Sequence, residues 1–127
     1  MLVYLVDDDD VINYLNTVII GQISSEIVIE VYKSGEAVLR HIQTCGAAYQ
    51  PPDIMLLDIR MPEMDGFQLL EELDHFPGDI FSKTKIYMLS STLDERDLIK
   101  AQSSRLVAGF SSKPLSIDHF QEILQKK

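Results

Sequence analysis

With 127 residues, of which 46% are hydrophobic, the chain has the size and composition of one globular domain, and we predict a single domain over residues 1–127. No apolar run is long enough to cross a bilayer, and the apolar content argues against disorder. A formal net charge of -9 would repel nucleic-acid phosphates over most of the surface, which argues against direct nucleic-acid binding.

The chain opens with a predicted apolar strand, Leu2–Val6, that runs directly into four consecutive carboxylates. Helix capping and the helix dipole account for Asp9 and Asp10, in the first turn of the next helix. They account less well for Asp7 and Asp8 at the strand's end, where mutual repulsion is costly unless a cation lies between them. Helical spacing of apolar residues up to Gly21 predicts the first helix: Val11, Ile12, Leu15, Val18 and Ile19.

The central part of the chain predicts two more strands. Residues 27–32 predict the second strand, and Ser34 is the predicted cap of the second helix. The unbroken apolar run at residues 54–57 is typical of a strand buried on both faces. Asp58 stands at the end of this strand. A lone carboxylate there is most often a turn former, so its meaning depends on what the other strand ends carry.

Capping residues predict the third and fourth helices. Asp65 is the predicted N-cap of a third helix that ends near His75. Thr92 and Glu95 have the spacing of a capping box and predict a fourth helix that runs towards Arg105. The third helix has a predicted buried stripe: Phe67, Leu70 and Leu73.

The last two strands again end in polar residues. Residues 85–89 predict the fourth strand, which ends at Ser90, and residues 109–111 predict a short fifth strand that leads to Lys113. Ser116 is the predicted cap of the last helix, which has three residues predicted to face inward: Ile117, Phe120 and Ile123.

Strands and helices thus alternate five times, which predicts an α/β fold with a doubly wound parallel sheet and helices on both faces. In such sheets the site lies beyond the carboxyl ends of the strands. That edge should carry Asp7 and Asp8, Asp58, Ser90 and Lys113. Hard oxygen ligands, a hydroxyl and an ammonium group together suit a divalent cation and a phosphoryl group. The sequence therefore predicts a phosphoryl-transfer site.

These residues resemble the receiver domain of two-component response regulators. The resemblance covers almost the whole chain and is carried by residues 2–8, 52–66, 88–91 and 109–114. It implies a flavodoxin-like fold with strand order 2-1-3-4-5, an order for which the chemotaxis member of the family is a standard example.

The resemblance also implies roles for the residues at the sheet edge. Asp58 would be the phosphoacceptor, and Asp7, Asp8 and Asp58 would hold Mg²⁺, for which Mn²⁺ can substitute. Arg60 would offer its backbone carbonyl to the metal. Lys113 would be the family's lysine that contacts the phosphoryl group.

Four further expectations follow from the resemblance. Ser90 would be the conformational hydroxyl, and Phe110 would occupy the position of the aromatic switch residue. The side chains of Arg60 and Thr92 would flank the route of water to the acyl phosphate and so set its lifetime. The bond from Lys113 to Pro114 would be cis.

The implied function is that of a phosphoacceptor signalling domain rather than an enzyme with a separate substrate. The implied donor is a phosphohistidine on a sensor histidine kinase or phosphotransfer protein. The implied recipient is a downstream protein target or, if the chain is a fragment, an output domain, with a phosphorylation-dependent dimer as a further expectation. We expect a cytoplasmic location, because Met1 leads into a strand without a basic signal region, and Cys45 is predicted to be a structural thiol.

The alternative from another class is a magnesium-dependent phosphohydrolase of the haloacid dehalogenase type. Asp7-x-Asp9-x-Val11 after an apolar strand imitates the nucleophile motif of that family. Against it, no acidic metal motif follows Lys113 and no cap domain is evident. A pseudo-receiver that only binds partners would lack the acidic pair, the acceptor aspartate or the lysine, and all of these are present. His41, His75 and His119 are predicted to be surface or packing residues.

Overall fold

The computed structural model, described here for residues 1–92 and 94–125, contains a five-stranded parallel sheet with the strand order β2-β1-β3-β4-β5. This confirms the predicted fold class and strand order. The strands are β1 (Leu2–Val6), β2 (Val28–Tyr32), β3 (Ile54–Asp58), β4 (Lys85–Ser90) and β5 (Val107–Ser112). The main helices are α1 (Asp10–Ile23), α2 (Gly35–Cys45), α3 (Gly66–Asp74), α4 (Glu95–Gln102) and α5 (Ile117–Gln125).

Different helices cover the two faces of the sheet. On one face, Ile20 of α1 and Phe120 of α5 belong to the same buried apolar cluster. On the other face, Val38 of α2, Leu70 of α3 and Ala101 of α4 belong to a second cluster. Because β3 contributes to both clusters, its residues are buried on both sides, as its unbroken apolar run predicts. None of the helices in the described ranges is long and apolar enough to span a bilayer.

Helix α1 turns a different face inward from the one that its apolar residues suggest. Its buried residues are Asn13, Asn16 and Ile20, while Val11 and Leu15 are exposed. The Asn13 side chain donates to the carbonyl of Asp7, and the Asn16 side chain accepts from the backbone of Leu115. These hydrogen bonds offset part of the cost of burying the two amides and fix α1 against the end of β1 and the start of α5, although Oδ1 of Asn13 is buried without a hydrogen-bond partner among the described residues.

The predicted capping box of α4 is wrong. The N-cap is Asp94, two residues after Thr92, and its carboxylate accepts from the backbone N–H of Arg96 at 2.9 Å. Asp94 has the extended backbone that an N-cap requires, with φ -94° and ψ 125°. The helix also stops short of Arg105. The caps predicted for α2 and α3 are confirmed: Ser34 and Asp65.

At three other places the structure differs from the prediction. β2 begins at Val28, and β5 is longer than residues 109–111 because pairing with β4 resumes after a register shift. Ile117, predicted to face inward, is the first residue of α5 and is exposed. The other predicted inward positions of α3 and α5 are buried: Phe67, Leu70, Leu73, Phe120 and Ile123.

Gly66 brings α3 unusually close to the end of β3. A Cβ atom at this position would collide with the backbone carbonyl of Asp58 and would lie 3.0 Å from Cε of Met88. The backbone N–H of Gly66 donates to the carbonyl of Ile59 at 2.9 Å, which holds the first turn of α3 in this place. The absence of a side chain at residue 66 therefore positions the strand end that carries Asp58.

We predict that Gly66→Ala lowers the free energy of unfolding by about 1 to 3 kcal/mol, because the backbone of Asp58 must move to admit the methyl group. Gly21→Ala is the matched control, since Gly21 lies in α1 and, apart from its chain neighbours and the local backbone of the helix, no atom lies within 4 Å of the place that its Cβ would take. It should raise stability by about 0.5 to 1 kcal/mol. Urea denaturation of both variants checks this, and equal effects would contradict the close approach.

Candidate functional site

The polar residues predicted to meet at the carboxyl edge of the sheet do meet there. Asp7 follows β1, Asp58 ends β3 and Lys113 follows β5. Because all strands of the sheet are parallel, the carboxyl ends of β1, β3 and β5 lie at the same edge. Asp7 and Asp58 are 3% and 2% exposed, so both carboxylates are almost completely removed from solvent.

Lys113, which follows β5, contacts the carboxylates at the ends of β1 and β3. Its Nζ lies 2.9 Å from Oδ2 of Asp7 and 3.0 Å from Oδ1 of Asp58, and its side chain is only 10% exposed. Burial by itself lowers the pKa of Lys113, but the hydrogen bonds to Asp7 and Asp58 outweigh burial and raise the pKa above its ordinary value. The lysine is therefore a fixed positive charge. The peptide bond from Lys113 to Pro114 is cis, as predicted.

Three carboxylates form a cluster with the chemistry of a cation site. Asp7, Asp8 and Asp58 each offer one oxygen, and these oxygens all lie within 4.8 Å of one another. Asp8 is exposed, so the cluster is open to solvent on that side. The second carboxylate oxygen of Asp7 accepts from the backbone of Asp9 at 2.9 Å, which fixes its orientation. An all-oxygen set with two buried members and one open side fits Mg²⁺, which keeps several waters when bound.

The environment of Asp58 strongly disfavours its charged form. Burial raises the pKa of Asp58 from its ordinary value of 3.8 to about 6. The hydrogen bond from Lys113 opposes this rise, and repulsion from Asp7 adds to it. The backbone N–H of Arg60 donates to Oδ1 at 3.2 Å, whereas Oδ2 has no hydrogen-bond partner among the described residues. One ammonium group is thus too little to neutralise this cluster.

Ser90 reaches the same edge, but its hydroxyl contacts its own loop. Its Oγ donates to the carbonyl of Thr92 at 2.5 Å and accepts from the backbone N–H of Thr92 at 3.2 Å. Ser90 is buried and Thr92 is exposed. The hydroxyl therefore holds the start of the β4–α4 loop against the strand end.

The side chain of Arg60 extends to α4 and contacts a carboxylate other than that of Asp58. Its Nη2 lies 2.6 Å from Oδ2 of Asp97, a residue that sequence reasoning missed. Asp97 lies in the first turn of α4, where the helix dipole alone is a sufficient reason for an acidic residue. Its side chain is 10% exposed, and a single sequence gives no sign of this burial or of the partner.

Phe110 lies beside open space. It is half-buried, packs against the core cluster on the α3–α4 face of the sheet, and lines a cavity of about 300 Å³ between α4 and β5. The three histidines lie outside the acidic cluster. His41 packs against Tyr32, His75 follows α3, and Nδ1 of His119 is 2.5 Å from Oγ of Ser111.

Comparison with known proteins agrees with this geometry. Residues 3–125 match the model of the response regulator receiver domain family. A two-component response regulator from Cytophaga hutchinsonii is 34% identical, with a TM-score of 0.88, covering 97% of this chain and 92% of that chain. The Mn²⁺-bound form of response regulator Rcp1 is 21% identical, with a TM-score of 0.75, covering 98% of this chain and 88% of that chain.

A curated relative is longer than this chain. Hybrid signal transduction histidine kinase L of Dictyostelium discoideum is 28% identical over 129 residues, which are 98% of this chain but only 7% of the kinase. The match with the family model covers nearly the whole chain. The chain therefore belongs to the response regulator receiver domain family, and it is a receiver domain of two-component signalling.

The phosphohydrolase alternative is not supported. The family match covers residues 3–125 and is to receiver domains. In addition, the carboxylate of Asp9, the second acidic residue of the imitated motif, accepts from the backbone N–H groups of Val11 and Ile12 as the N-cap of α1. Oδ1 of Asp9 is therefore already used to cap α1.

We predict that Asp58 makes the protein less stable as the pH rises from about 4 to about 6 in metal-free buffer. Its folded-state pKa lies above the ordinary value, so in this range the folded protein binds more protons than the unfolded chain, and stability falls with rising pH. Between pH 4 and pH 7, wild type should lose about 2 kcal/mol more free energy of unfolding than Asp58→Asn. Denaturant unfolding with a chelator present measures this, and parallel pH profiles would contradict it.

Proposed function

We propose that this receiver domain accepts a phosphoryl group on Asp58 from a phosphohistidine, with Mg²⁺ bound, and thereby changes a surface that binds a partner protein. The observation that carries the proposal is the buried carboxylate of Asp58 at the end of the central strand, paired with Lys113 and clustered with Asp7 and Asp8. Because the site faces the carboxyl edge of a doubly wound sheet, it lies where ligands reach such folds.

In the proposed reaction, Oδ2 of Asp58 attacks phosphorus. Oδ1 is held by Lys113 and by the backbone of Arg60, which leaves Oδ2 with a lone pair for the new bond. The phosphorus–nitrogen bond of the phosphohistidine breaks, its electron pair stays on the imidazole, and an acyl phosphate forms. The ammonium group of Lys113 stabilises charge on the phosphoryl oxygens during the transfer. Such catalysis by positioning and charge needs no separate base, because the carboxylate attacks in its ionised form.

The metal belongs to the same proposal. Asp7, Asp8 and Asp58 would hold Mg²⁺, with the backbone carbonyl of Arg60 as a further ligand, and Asp8 would coordinate it directly while Asp7 acts mainly through water. When bound, the metal supplies positive charge that Lys113 alone lacks. The relative Rcp1 has been observed with Mn²⁺, which supports a divalent cation here and Mn²⁺ as a substitute.

An apolar stripe beside the site favours a protein donor over a small molecule. Four exposed residues of α1 occur at helical spacing, and Val11 and Tyr14 are 65% and 68% exposed. Since α1 begins directly after the acidic pair, a sensor histidine kinase or phosphotransfer protein that packs on this stripe would bring its phosphohistidine to Asp58. We expect this exchange in the cytoplasm. The stripe consists of Val11, Tyr14, Leu15 and Val18.

The proposed switch uses Ser90 and Phe110. A phosphoryl group on Asp58 brings about -1.5 to -2 charges and three acceptor oxygens, by analogy with other phosphoresidues. The Ser90 hydroxyl could leave Thr92 and donate to one of these oxygens. The loop would then move, and Phe110 would fill the space beneath α4. A downstream protein, an output domain or a second copy of the chain would prefer the altered face of α4, β5 and α5.

We expect acetyl phosphate and Mg²⁺ to phosphorylate wild-type protein on Asp58, because this carboxylate combines burial, the lysine and the cation cluster. Intact mass would rise by one phosphoryl group, and peptide mapping would place it on Asp58. Asp58→Asn should show no labelling. Asp53→Asn is a matched control that removes an aspartate at the opposite end of β3 and should label normally. Labelling of Asp58→Asn, or a label on another aspartate, would disprove the proposal.

The switch predicts that beryllofluoride with Mg²⁺ moves the Phe110 ring. Fluorine spectra of protein labelled at phenylalanine should show a shifted Phe110 resonance, assigned through Phe110→Leu. Ser90→Ala should reduce this shift, because the hydroxyl that links the site to the loop is gone. Phe120, fully buried in the other core cluster, provides an internal control that should not move. An unmoved Phe110 ring would mean that it is a static core residue.

A further inference from the structure

Arg60 and Asp97 form an ion pair that connects the acceptor loop to α4. The Nη2–Oδ2 distance is 2.6 Å, and the two residues are 37 positions apart in the chain. The pair is asymmetric in exposure, because the side chain of Asp97 is 10% exposed and that of Arg60 is 65% exposed. The arginine side chain therefore lies mostly in solvent, whereas the carboxylate that it contacts is buried in the first turn of α4.

Burial makes Asp97 depend on this partner. Arg60 is its hydrogen-bond partner among the described residues, and a buried carboxylate that loses its partner keeps an uncompensated desolvation cost. The neighbouring pair of Arg96 and Asp94 differs, since the arginine is 90% exposed and the carboxylate 31% exposed. Exposed pairs of this kind contribute little. Of the two ion pairs at the start of α4, only that of Arg60 and Asp97 therefore provides a strong constraint.

The same arginine starts beside the acceptor. Its backbone N–H donates to Oδ1 of Asp58 at 3.2 Å, so the side chain is anchored at the site while its guanidinium lies on α4. A phosphoryl group on Asp58 would offer oxygens that a guanidinium binds well, in a planar, charge-assisted geometry. Asp97 and the acyl phosphate would then compete for one guanidinium.

We propose that Asp97 is a positioning residue that holds the Arg60 guanidinium away from Asp58 and so sets the lifetime of the acyl phosphate. This inference rests on the proposed phosphorylation of Asp58. Hydrolysis requires a water oxygen to attack phosphorus, after which the bond to Asp58 breaks, the carboxylate is restored, and inorganic phosphate and a proton are released. An arginine released from Asp97 covers the phosphoryl group and hinders the approach of that water.

The test is a double-mutant cycle on the rate of phosphate loss. The full chain is labelled with acetyl phosphate and Mg²⁺, the donor is removed, and release of inorganic phosphate is followed. Asp97→Asn should slow release by roughly two- to tenfold, because it frees Arg60. Because Asp97 already holds Arg60 away from the phosphoryl group in wild type, Arg60→Ala should change release much less than Asp97→Asn does, and Asp97→Asn should have no effect in the Arg60→Ala background. Asp94→Asn is the matched control, since it removes the same charge from the same helix end and Asn caps as well as Asp.

The cycle separates positioning from a merely structural role. If Asp97→Asn only loosened α4, its effect would persist without Arg60, and that result would overturn the inference. Faster or unchanged release in Asp97→Asn would do the same. Because this variant could be poorly folded, the side-chain Nε–Hε resonance of Arg60 in wild type provides a second measurement. It should keep its position when beryllofluoride and Mg²⁺ are added, because Asp97 retains the guanidinium, and a large shift would overturn the inference. Failure of wild type to label on Asp58 would instead refute the proposed function.

Discussion

Two buried carboxylates that share one ammonium group, with an exposed carboxylate beside them, constrain the whole site. Lys113 bridges Asp7 and Asp58, and the oxygen cluster is completed by Asp8. Asp7 and Asp8 follow β1, Asp58 ends β3 and Lys113 follows β5, so the arrangement exists only when these three strands are in their observed order. Burial is the main cause of the raised pKa of Asp58, and the hydrogen bond from Lys113 only partly offsets it. Such a cluster of carboxylate oxygens suits a divalent cation.

Much of this arrangement could be predicted because it depends on chain topology alone. In a parallel sheet, every strand end opens at one edge, so residues such as Asp58 and Lys113 meet whatever the details of helix packing. Caps with one strong candidate, such as Ser34 and Asp65, are also local and were predicted correctly. At α4, Thr92 and Asp94 both had the chemistry of a cap, and only the backbone conformation of the loop decided between them.

Features that depend on tertiary partners could not be predicted. Hydrophobic spacing identified α1 as a helix but not its buried face, because Asn13 and Asn16 make hydrogen bonds inside the protein to the backbone of Asp7 and Leu115, which lie outside the helix. The direction of the Arg60 side chain was equally hidden, since Asp97 lies on another element and carries no local sign of burial. Long side chains have many rotamers, and a distant partner selects one.

The start of α4 is where these contacts converge. Ser90 holds the preceding loop through Thr92, and Arg60 holds the first turn of the helix through Asp97. A neutral hydrogen bond such as that of Ser90 contributes about 0.5 to 1.5 kcal/mol, whereas hydrogen bonds to charged groups contribute about 1.5 to 3 kcal/mol. In the proposed switch, a phosphoryl group on Asp58 would therefore displace Ser90 from its loop more easily than it would take Arg60 from Asp97. On these magnitudes the loop would move first in that switch, and the ion pair would determine how far α4 follows.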